Sequence, residues 1–126
     1  MKLLLDTHAF LFWTADDPRL PGAARDAIHD PDSLIFLSAA SVWEIAIKRA
    51  KGRLRTSFGN VMEEAARHRF VELPMNAAHA ERAAALPPHH DDPFDRMLVA
   101  QTSIEGLILV SGDAVMPSYG VRLLWA

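Results

Sequence analysis

Carboxylates recur at four places in this sequence, each beside a strongly apolar segment. Asp6 directly follows three leucines, and Asp113 follows the apolar run LILVSG. Glu44 lies in SAASVWEIAIK and Asp95 in HHDDPFDRMLVAQ, two segments with helical periodicity. An acid next to a buried segment is costly unless it has a partner. Carboxylate oxygens are the ligands that Mg²⁺ prefers, so these acids indicate metal-assisted chemistry if the fold brings them together.

Short apolar runs alternate with helical segments along the chain. Strands are predicted over residues 2–5, 34–38, 70–73, 107–111 and 121–125. Helices are predicted after Asp6 and over residues 21–29, 39–51, 60–68, 77–85 and 93–105. The last helix has an Asp92-Pro93 start and a Gly106 stop. This alternation predicts an α/β fold, a three-layer α/β/α sandwich with a mostly parallel central sheet.

The order of these elements places the four acids at one edge of the sheet. In open parallel sheets the working site lies beyond the carboxyl ends of the strands, where Asp6 and Asp113 stand. Glu44 is one turn into a helix that follows a strand. The helix of Asp95 runs antiparallel to the strand after it, so this helix begins at the same edge.

Composition limits the classes of protein that fit. A chain of 126 residues is expected to fold as one domain, residues 1–126, without a stabilising metal or disulfide. It has no cysteine, which excludes thiol chemistry and suits the cytoplasm. No signal peptide and no run approaching about 18 apolar residues is present, so no membrane association is expected. Because the formal net charge is -3, a polyanion would need a local basic patch.

Two of the acids have ordinary structural interpretations when each is taken alone. Asp6 would cap the helix that begins at Thr7. Ser41 and Glu44 have the spacing of a capping box. Glu44 and Lys48 have the spacing of a helical ion pair in its favourable orientation.

The other two acids are equally ordinary in isolation. Asp95 is the third residue after the Asp92 cap, where a negative charge complements the helix dipole, and Asp113 is a typical turn residue. Convergence of all four is harder to explain, because like charges within a few ångströms raise each other's pKa and oppose folding. A divalent cation removes this conflict, and it supplies the activated water and charge stabilisation that phosphodiester hydrolysis requires.

Four segments, in this order, resemble the acidic motifs of PIN-domain ribonucleases: DTHAFLFW, SAASVWEIAIK, HHDDPFDRMLVAQ and LVSGD. The resemblance extends from residue 2 to the closing YGVRLLWA. Within this family, the sequence resembles the VapC toxins of VapBC toxin–antitoxin pairs. It implies Asp6, Glu44, Asp95 and Asp113 as catalytic residues, of which Asp6, Asp95 and Asp113 bind metal. It also implies cleavage of RNA with Mg²⁺ or Mn²⁺, a homodimer, and inhibition by a VapB-like antitoxin.

Two accessory residues accompany these motifs. Thr7 places a hydroxyl beside Asp6. Asp92 has three interpretations that the sequence leaves open: a helix cap, an outer ligand of the metal, or both.

A basic segment, KRAKGRLR at residues 48–55, follows the second motif and holds five of the 13 lysines and arginines. Lys48, Lys51 and Arg55 share the helical stripe of Glu44, which aims them at a nucleic-acid backbone lying across the site. We therefore predict that they bind RNA. The alternative is a solvated helix face.

The histidines and aromatic residues are given structural interpretations. A surface loop is favoured for His89 and His90 over a transition-metal site, and His8 is expected to point into packing. Three aromatic residues soon after Asp6 are predicted to pack in the core rather than stack on bases. They are Phe10, Phe12 and Trp13. Whatever part of them is exposed, together with Trp43, would suit a dimer or antitoxin surface.

Two other functions fit parts of the pattern. A PIN-like module that binds RNA or protein without cleaving remains an alternative, although it has no need for four acids. A haloacid-type phosphatase would need an aspartate where His8 stands, and a phospho-receiver would need one at the end of the LIFLS strand. The leading hypothesis is therefore a metal-dependent endoribonuclease acting as a toxin.

Overall fold

A computed structural model describes all residues from 1 to 126 and contains a parallel five-stranded sheet with six α-helices. The strands are β1 (Lys2–Leu5), β2 (Leu34–Ser38), β3 (Val71–Leu73), β4 (Ile108–Ser111) and β5 (Leu123–Trp125). The helices are α1 (Thr7–Thr14), α2 (Gly22–His29), α3 (Ala39–Ala50), α4 (Val61–Arg67), α5 (Ala77–Ala85) and α6 (Pro93–Glu105). A short 3-10 helix, Met116–Tyr119, precedes β5. The predicted α/β fold with a parallel central sheet is confirmed.

Strand β1 lies at the centre of the sheet, whose order is β3-β2-β1-β4-β5 with every neighbouring pair parallel. Leu3 and Leu5 join the hydrophobic cluster on one face, which includes Phe10 of α1. Leu4 joins the cluster on the other face, which includes Leu98 of α6. A central parallel strand is covered on both faces, and this explains three consecutive leucines without a polar residue between them.

Helix α6 begins and ends where the sequence predicts. The Asp92 side chain accepts hydrogen bonds from the first turn, and Pro93 is the first helical residue. Gly106 ends the helix in the left-handed conformation, with φ of 65°. This conformation is open to glycine at little cost, which makes Gly106 an effective stop.

The capping box predicted for Ser41 and Glu44 is wrong. Ser38 is the cap of α3, since its Oγ accepts from the Ala40 N–H at 3.0 Å. Ser41 is instead the third residue of the helix and is fully buried.

Helix α3 ends earlier than the predicted basic stripe requires. Its last residue is Ala50, and Gly52 turns the chain with φ of 67°. Arg55 consequently lies in a loop, and Lys51 caps the helix. The prediction that Lys48, Lys51 and Arg55 share one helical stripe is therefore wrong beyond the helix end.

The loop after β4 is packed tightly against the end of the chain. The Ala126 N–H donates to the Ser111 carbonyl at 3.1 Å and continues the pairing of β5 with β4. A Cβ on Gly112 would overlap the Ala126 carbonyl. Only glycine therefore fits between β4 and Asp113 without movement of the backbone.

None of the six helices combines the length and apolar character needed to cross a membrane.

Replacing Gly106 by alanine should lower the free energy of unfolding by about 1 kcal/mol, because a side chain is strained at its φ of 65°. Gly22, at the start of α2, has no positive φ, and an added methyl group would meet no other atom within 4 Å. Gly22→Ala is the matched control and should leave stability unchanged or slightly raised. Denaturant unfolding measures both, and a Gly106→Ala protein as stable as the parent would contradict the helix-stop assignment.

Candidate functional site

Asp6 lies at the carboxyl end of the central strand and starts helix α1. Its N–H donates to the Val110 carbonyl at 3.0 Å, and its Oδ1 accepts from the Ala9 N–H at 2.7 Å. The capping role predicted for Asp6 is thus confirmed. Burial raises the pKa of the Asp6 carboxyl, while hydrogen bonds from Ser111 and Ala9 act in the opposite direction.

Glu44 is buried, and each of its oxygens has a partner. The Thr7 hydroxyl donates to Oε1 at 2.6 Å, and Lys48 Nζ donates to Oε2 at 2.7 Å. The predicted ion pair of Glu44 with Lys48 is confirmed. Thr7 Oγ1 also lies 3.0 Å from Ser41 Oγ, so this hydroxyl joins α1 to α3.

Asp95 is the third residue of α6, and its carboxylate accepts no hydrogen bond within the chain. Its pKa is raised to about 7, first by burial and then by the negative charges around it. Those charges belong to Asp92, Asp113, Glu44 and Asp6, in decreasing order of effect. The structure therefore brings the four predicted acids into one electrostatic cluster at the carboxyl edge of the sheet.

Asp113 follows β4 and fixes the turn into the 3-10 helix. Its N–H donates to Ser111 Oγ at 3.1 Å, and its Oδ1 accepts from the Val115 N–H at 2.9 Å. The other oxygen, Oδ2, faces His90, whose Nε2 lies 3.8 Å away. The same Nε2 lies 3.7 Å from Asp95 Oδ2.

His90 lies in a loop, as predicted, but its side chain is not at the surface. Its side chain is only 15% exposed and joins the acidic cluster. The Tyr119 hydroxyl, 2.7 Å from His90 Nδ1, holds the ring from the opposite side. The one signal in the sequence was the position of His90 two residues before the Asp92 cap; nothing local indicated the contact with Tyr119.

A cavity of about 610 Å³ opens at this cluster. Asp6, Asp95 and Asp113 line it, and Glu44 does not. Further lining residues are His8, Phe12, Arg19 and Leu54. The volume lies within the range of small-molecule and cofactor sites.

Asp92 and Arg96 support the cluster from α6. Asp92 Oδ1 accepts from the Phe94 N–H at 2.9 Å and from the Asp95 N–H at 3.2 Å, which confirms its capping role. Arg96, which the sequence did not single out, donates to the carbonyls of three residues before the helix at 2.8–2.9 Å. They are Ala83, Leu86 and Pro87. The guanidinium therefore fixes the segment that leads to the site.

The three residues predicted to bind RNA differ in their surroundings. Lys48 forms an ion pair with Glu44, whereas Lys51 and Arg55 are exposed and form no ion pair. Leu54 lines the cavity, so the loop that carries Arg55 borders the site. The RNA-binding role of all three stays a prediction.

His8 and the aromatic residues occupy two environments. The prediction that His8 points into packing is wrong, because it is exposed, lines the cavity and stacks on Phe12 at 6.3 Å between ring centroids. Phe10 is fully buried in the core, and Trp13 packs partly buried against it. Trp43 is 57% exposed.

The donor set at this edge fits a divalent cation. Three acids line one cavity, and one atom each of His90, Asp95 and Asp113 lie within 4.8 Å of one another. The buried His90 Nε2 has no hydrogen-bond partner. A buried donor or acceptor without a partner is costly, and a cation among these atoms would satisfy it.

Comparison with known proteins gives one family and a relative that matches most of the chain. The sequence matches the PIN domain family over residues 3–121. It is 31% identical over 121 residues to Ribonuclease VapC22 of Mycobacterium tuberculosis, which covers 93% of this chain and 91% of that protein.

Solved structures agree with the fold. A chain of VapBC2 from Rickettsia felis, bound to a DNA fragment from its promoter, has a TM-score of 0.69 at 12% identity, covering 99% of this chain and 98% of that one. DNA-bound VapBC from Salmonella typhimurium has a TM-score of 0.69 at 16% identity with the same coverage. Both similarities concern the fold.

The raised pKa of Asp95 predicts how stability depends on pH in the absence of divalent ions. The folded state binds a proton at Asp95 more tightly than the unfolded state, so protonation of Asp95 stabilises the fold. This stabilisation is complete below about pH 4 and is lost as the pH rises through about 7. Asp95→Asn should therefore be more stable than the parent at pH 8, by on the order of 1 kcal/mol after screening, and lose this advantage at pH 4.

Thermal unfolding in EDTA at several pH values measures this effect. The control is Asp91→Asn, since Asp91 is an exposed acid four residues away that is absent from the charges acting on Asp95. Equal pH dependence for the parent and Asp95→Asn would show that Asp95 is not under electrostatic strain.

Proposed function

Because the chain belongs to the PIN-domain family, within the group of VapC proteins, we propose that it is a metal-dependent endoribonuclease acting as the toxin of a toxin–antitoxin pair. The observation that carries the proposal is the position of Asp95. Its carboxylate lines an open cavity, has no hydrogen bond, and lies in the field of three other family acids. This arrangement is expected of a carboxylate that binds a cation.

Asp6, Asp95 and Asp113 are the residues that would hold Mg²⁺ or Mn²⁺, since all three line the cavity. A bound ion supplies a water of lowered pKa and positive charge beside the phosphate. It would also favour the ionised form of Asp95, whose pKa burial and the neighbouring charges raise to about 7.

Glu44 has a different role from the other acids. Thr7 and Lys48 hold its two oxygens, and it does not line the cavity. Each carboxylate oxygen retains a further lone pair, so Glu44 can still accept a hydrogen bond from a water at the site. We assign Glu44 to orienting water, with Thr7 and Lys48 as its positioning residues.

An antitoxin and a second copy of the chain are the proposed protein partners. The similar structures from Rickettsia felis and Salmonella typhimurium are VapBC complexes. On this chain, Trp43 is exposed and packs edge-on against Phe94 with ring centroids 5.3 Å apart. These aromatic residues neighbour Glu44 and Asp95 in sequence, so a partner that covers them would lie beside the site. We place the protein in the cytoplasm, where RNA is available.

Removing single acids tests the ribonuclease activity. Asp6→Asn keeps a good helix cap, and Asp95→Asn keeps the shape of the side chain. Both should reduce cleavage of a mixed RNA pool in Mg²⁺ or Mn²⁺ by at least about two orders of magnitude, because several kcal/mol of charge stabilisation is lost. Glu44→Gln should act similarly and Asp113→Asn more weakly.

Asp91→Asn is again the matched control and should cleave RNA at the parental rate. Parental activity in both Asp6→Asn and Asp95→Asn would disprove the assignment of the nuclease site. If the parent binds RNA but cleaves none of it, the non-catalytic module becomes the better description.

The basic segment is tested separately through salt dependence. Lys51→Gln and Arg55→Gln should each weaken RNA binding and reduce the slope of log K against log salt by about 0.7 for each phosphate that is no longer neutralised. Lys2→Gln is the control, since Lys2 is exposed at the opposite end of β1. Lys48→Gln should reduce cleavage more than binding, because Lys48 is bonded to Glu44. Unchanged slopes for Lys51→Gln and Arg55→Gln would leave these residues as a solvated surface.

A further inference from the structure

His90 faces the acidic cluster with a buried ring nitrogen that has no partner. Its Nε2 is buried and has no hydrogen-bond partner. This atom lies at almost equal distances from two carboxylate oxygens, 3.7 Å from Asp95 Oδ2 and 3.8 Å from Asp113 Oδ2.

These distances do not describe a hydrogen-bonded ion pair. Charge-assisted hydrogen bonds between nitrogen and a carboxylate have lengths of about 2.7–2.9 Å, and both distances from His90 Nε2 exceed that range by far. They are, however, compatible with a shared ion. Two atoms that each bind one ion at about 2.1 Å are at most about 4.2 Å apart.

Tyr119 sets the ring in the orientation that a metal ligand needs. Its hydroxyl oxygen is 2.7 Å from His90 Nδ1. When the Nδ1–H donates to this oxygen, the neutral ring directs the Nε2 lone pair at Asp95 and Asp113. A hydrogen bond from the second ring nitrogen is the usual means by which proteins orient metal-binding histidines.

The backbone around His90 is held as firmly as its ring. Arg96 N–H groups donate to the Pro87 carbonyl at 2.9 Å and to the His90 carbonyl at 3.3 Å. Tyr119 itself ends the 3-10 helix that begins three residues after Asp113. The loop with His90 is therefore tied both to the helix of Asp95 and to the segment after Asp113.

We infer that His90 Nε2 is a ligand of the metal centre, together with Asp95 and Asp113, and that it makes the centre selective for first-row transition ions over Mg²⁺. The inference rests on the metal site of the proposed function. A nitrogen donor adds little for Mg²⁺, which prefers oxygen ligands, whereas the affinity of a site with a nitrogen ligand rises along the first transition row from Mn²⁺ to Co²⁺.

The direct test detects the nitrogen. Mn²⁺ is added to the purified protein without RNA, and pulsed electron paramagnetic resonance measures the modulation from a coordinated ¹⁴N nucleus. The parent and His89→Ala should both show this modulation, since His89 is exposed and contacts only Tyr119 among the groups of the site. His90→Gln should bind Mn²⁺ without it.

Metal affinity supplies the second measurement. By calorimetric titration, His90→Gln should weaken Co²⁺ binding by about tenfold or more and change Mg²⁺ binding by much less. Tyr119→Phe should weaken Co²⁺ binding in the same direction while keeping the ¹⁴N signal, because Tyr119 positions the ring without touching the ion.

The outcomes separate this inference from the proposed function. If Mn²⁺ binds to the parent but not to Asp95→Asn, and the parent shows no ¹⁴N modulation, the metal site of the proposed function stands. The role of His90 is then overturned. Equal losses of Mg²⁺ and Co²⁺ affinity in His90→Gln would also overturn the selectivity. A protein that shows the ¹⁴N signal yet cleaves no RNA would keep the metal site and disprove the nuclease. If His90→Gln fails to fold, a parent spectrum without ¹⁴N modulation still overturns the role of His90, and a signal that persists in His8→Ala, the variant of the other histidine at the cavity, supports it.

Discussion

Repulsion among carboxylates held at one edge of the sheet is the constraint on which the site depends. The fold relieves it unevenly. Lys48 balances the charge of Glu44, and backbone N–H groups hold one oxygen each of Asp6 and Asp113. Asp95 has neither a cation nor a hydrogen bond, and its pKa rises to about 7. Asp95 therefore has the least compensated charge of the acids that line the cavity, and a positive ion there would stabilise it.

The parallel sheet is what gathers these charges. β1 is apolar on both faces, since Leu3 and Leu5 pack on one side and Leu4 on the other. A strand of this kind has no place for a charge within its length, so the first acid stands just after it. β4 is equally buried and delivers Asp113 to the same edge. The hydrophobic core thus determines where the polar site can lie.

Elements whose signals are local were predictable from the sequence. The apolar runs marked all five strands to within two residues, and Asp92 and Gly106 marked both ends of α6. Convergence of the acids followed from topology, because parallel strands end at one edge. The basic pattern predicts a helical stripe that extends past the end of α3, because basic residues continue after Gly52 has turned the chain.

Contacts between distant segments were not predictable in the same way. His90 reaches Tyr119 across 29 positions, and neither residue belongs to a periodic pattern. Arg96 likewise belongs to α6, while its guanidinium donates hydrogen bonds to carbonyls that precede the helix. Such contacts depend on how the loop closes, and no local spacing in the sequence encodes this closure.

Structural and chemical interpretations of these acids are compatible because a carboxylate has two oxygens. In Asp6, Oδ1 caps α1 while the side chain still lines the cavity. In Asp113, Oδ1 accepts from the backbone of the turn and Oδ2 faces His90. The hydrogen bond to the first oxygen fixes the carboxylate plane and thereby directs the second. A residue that caps an element is therefore also preorganised for binding, and its energetic contribution to folding does not argue against a role in the site.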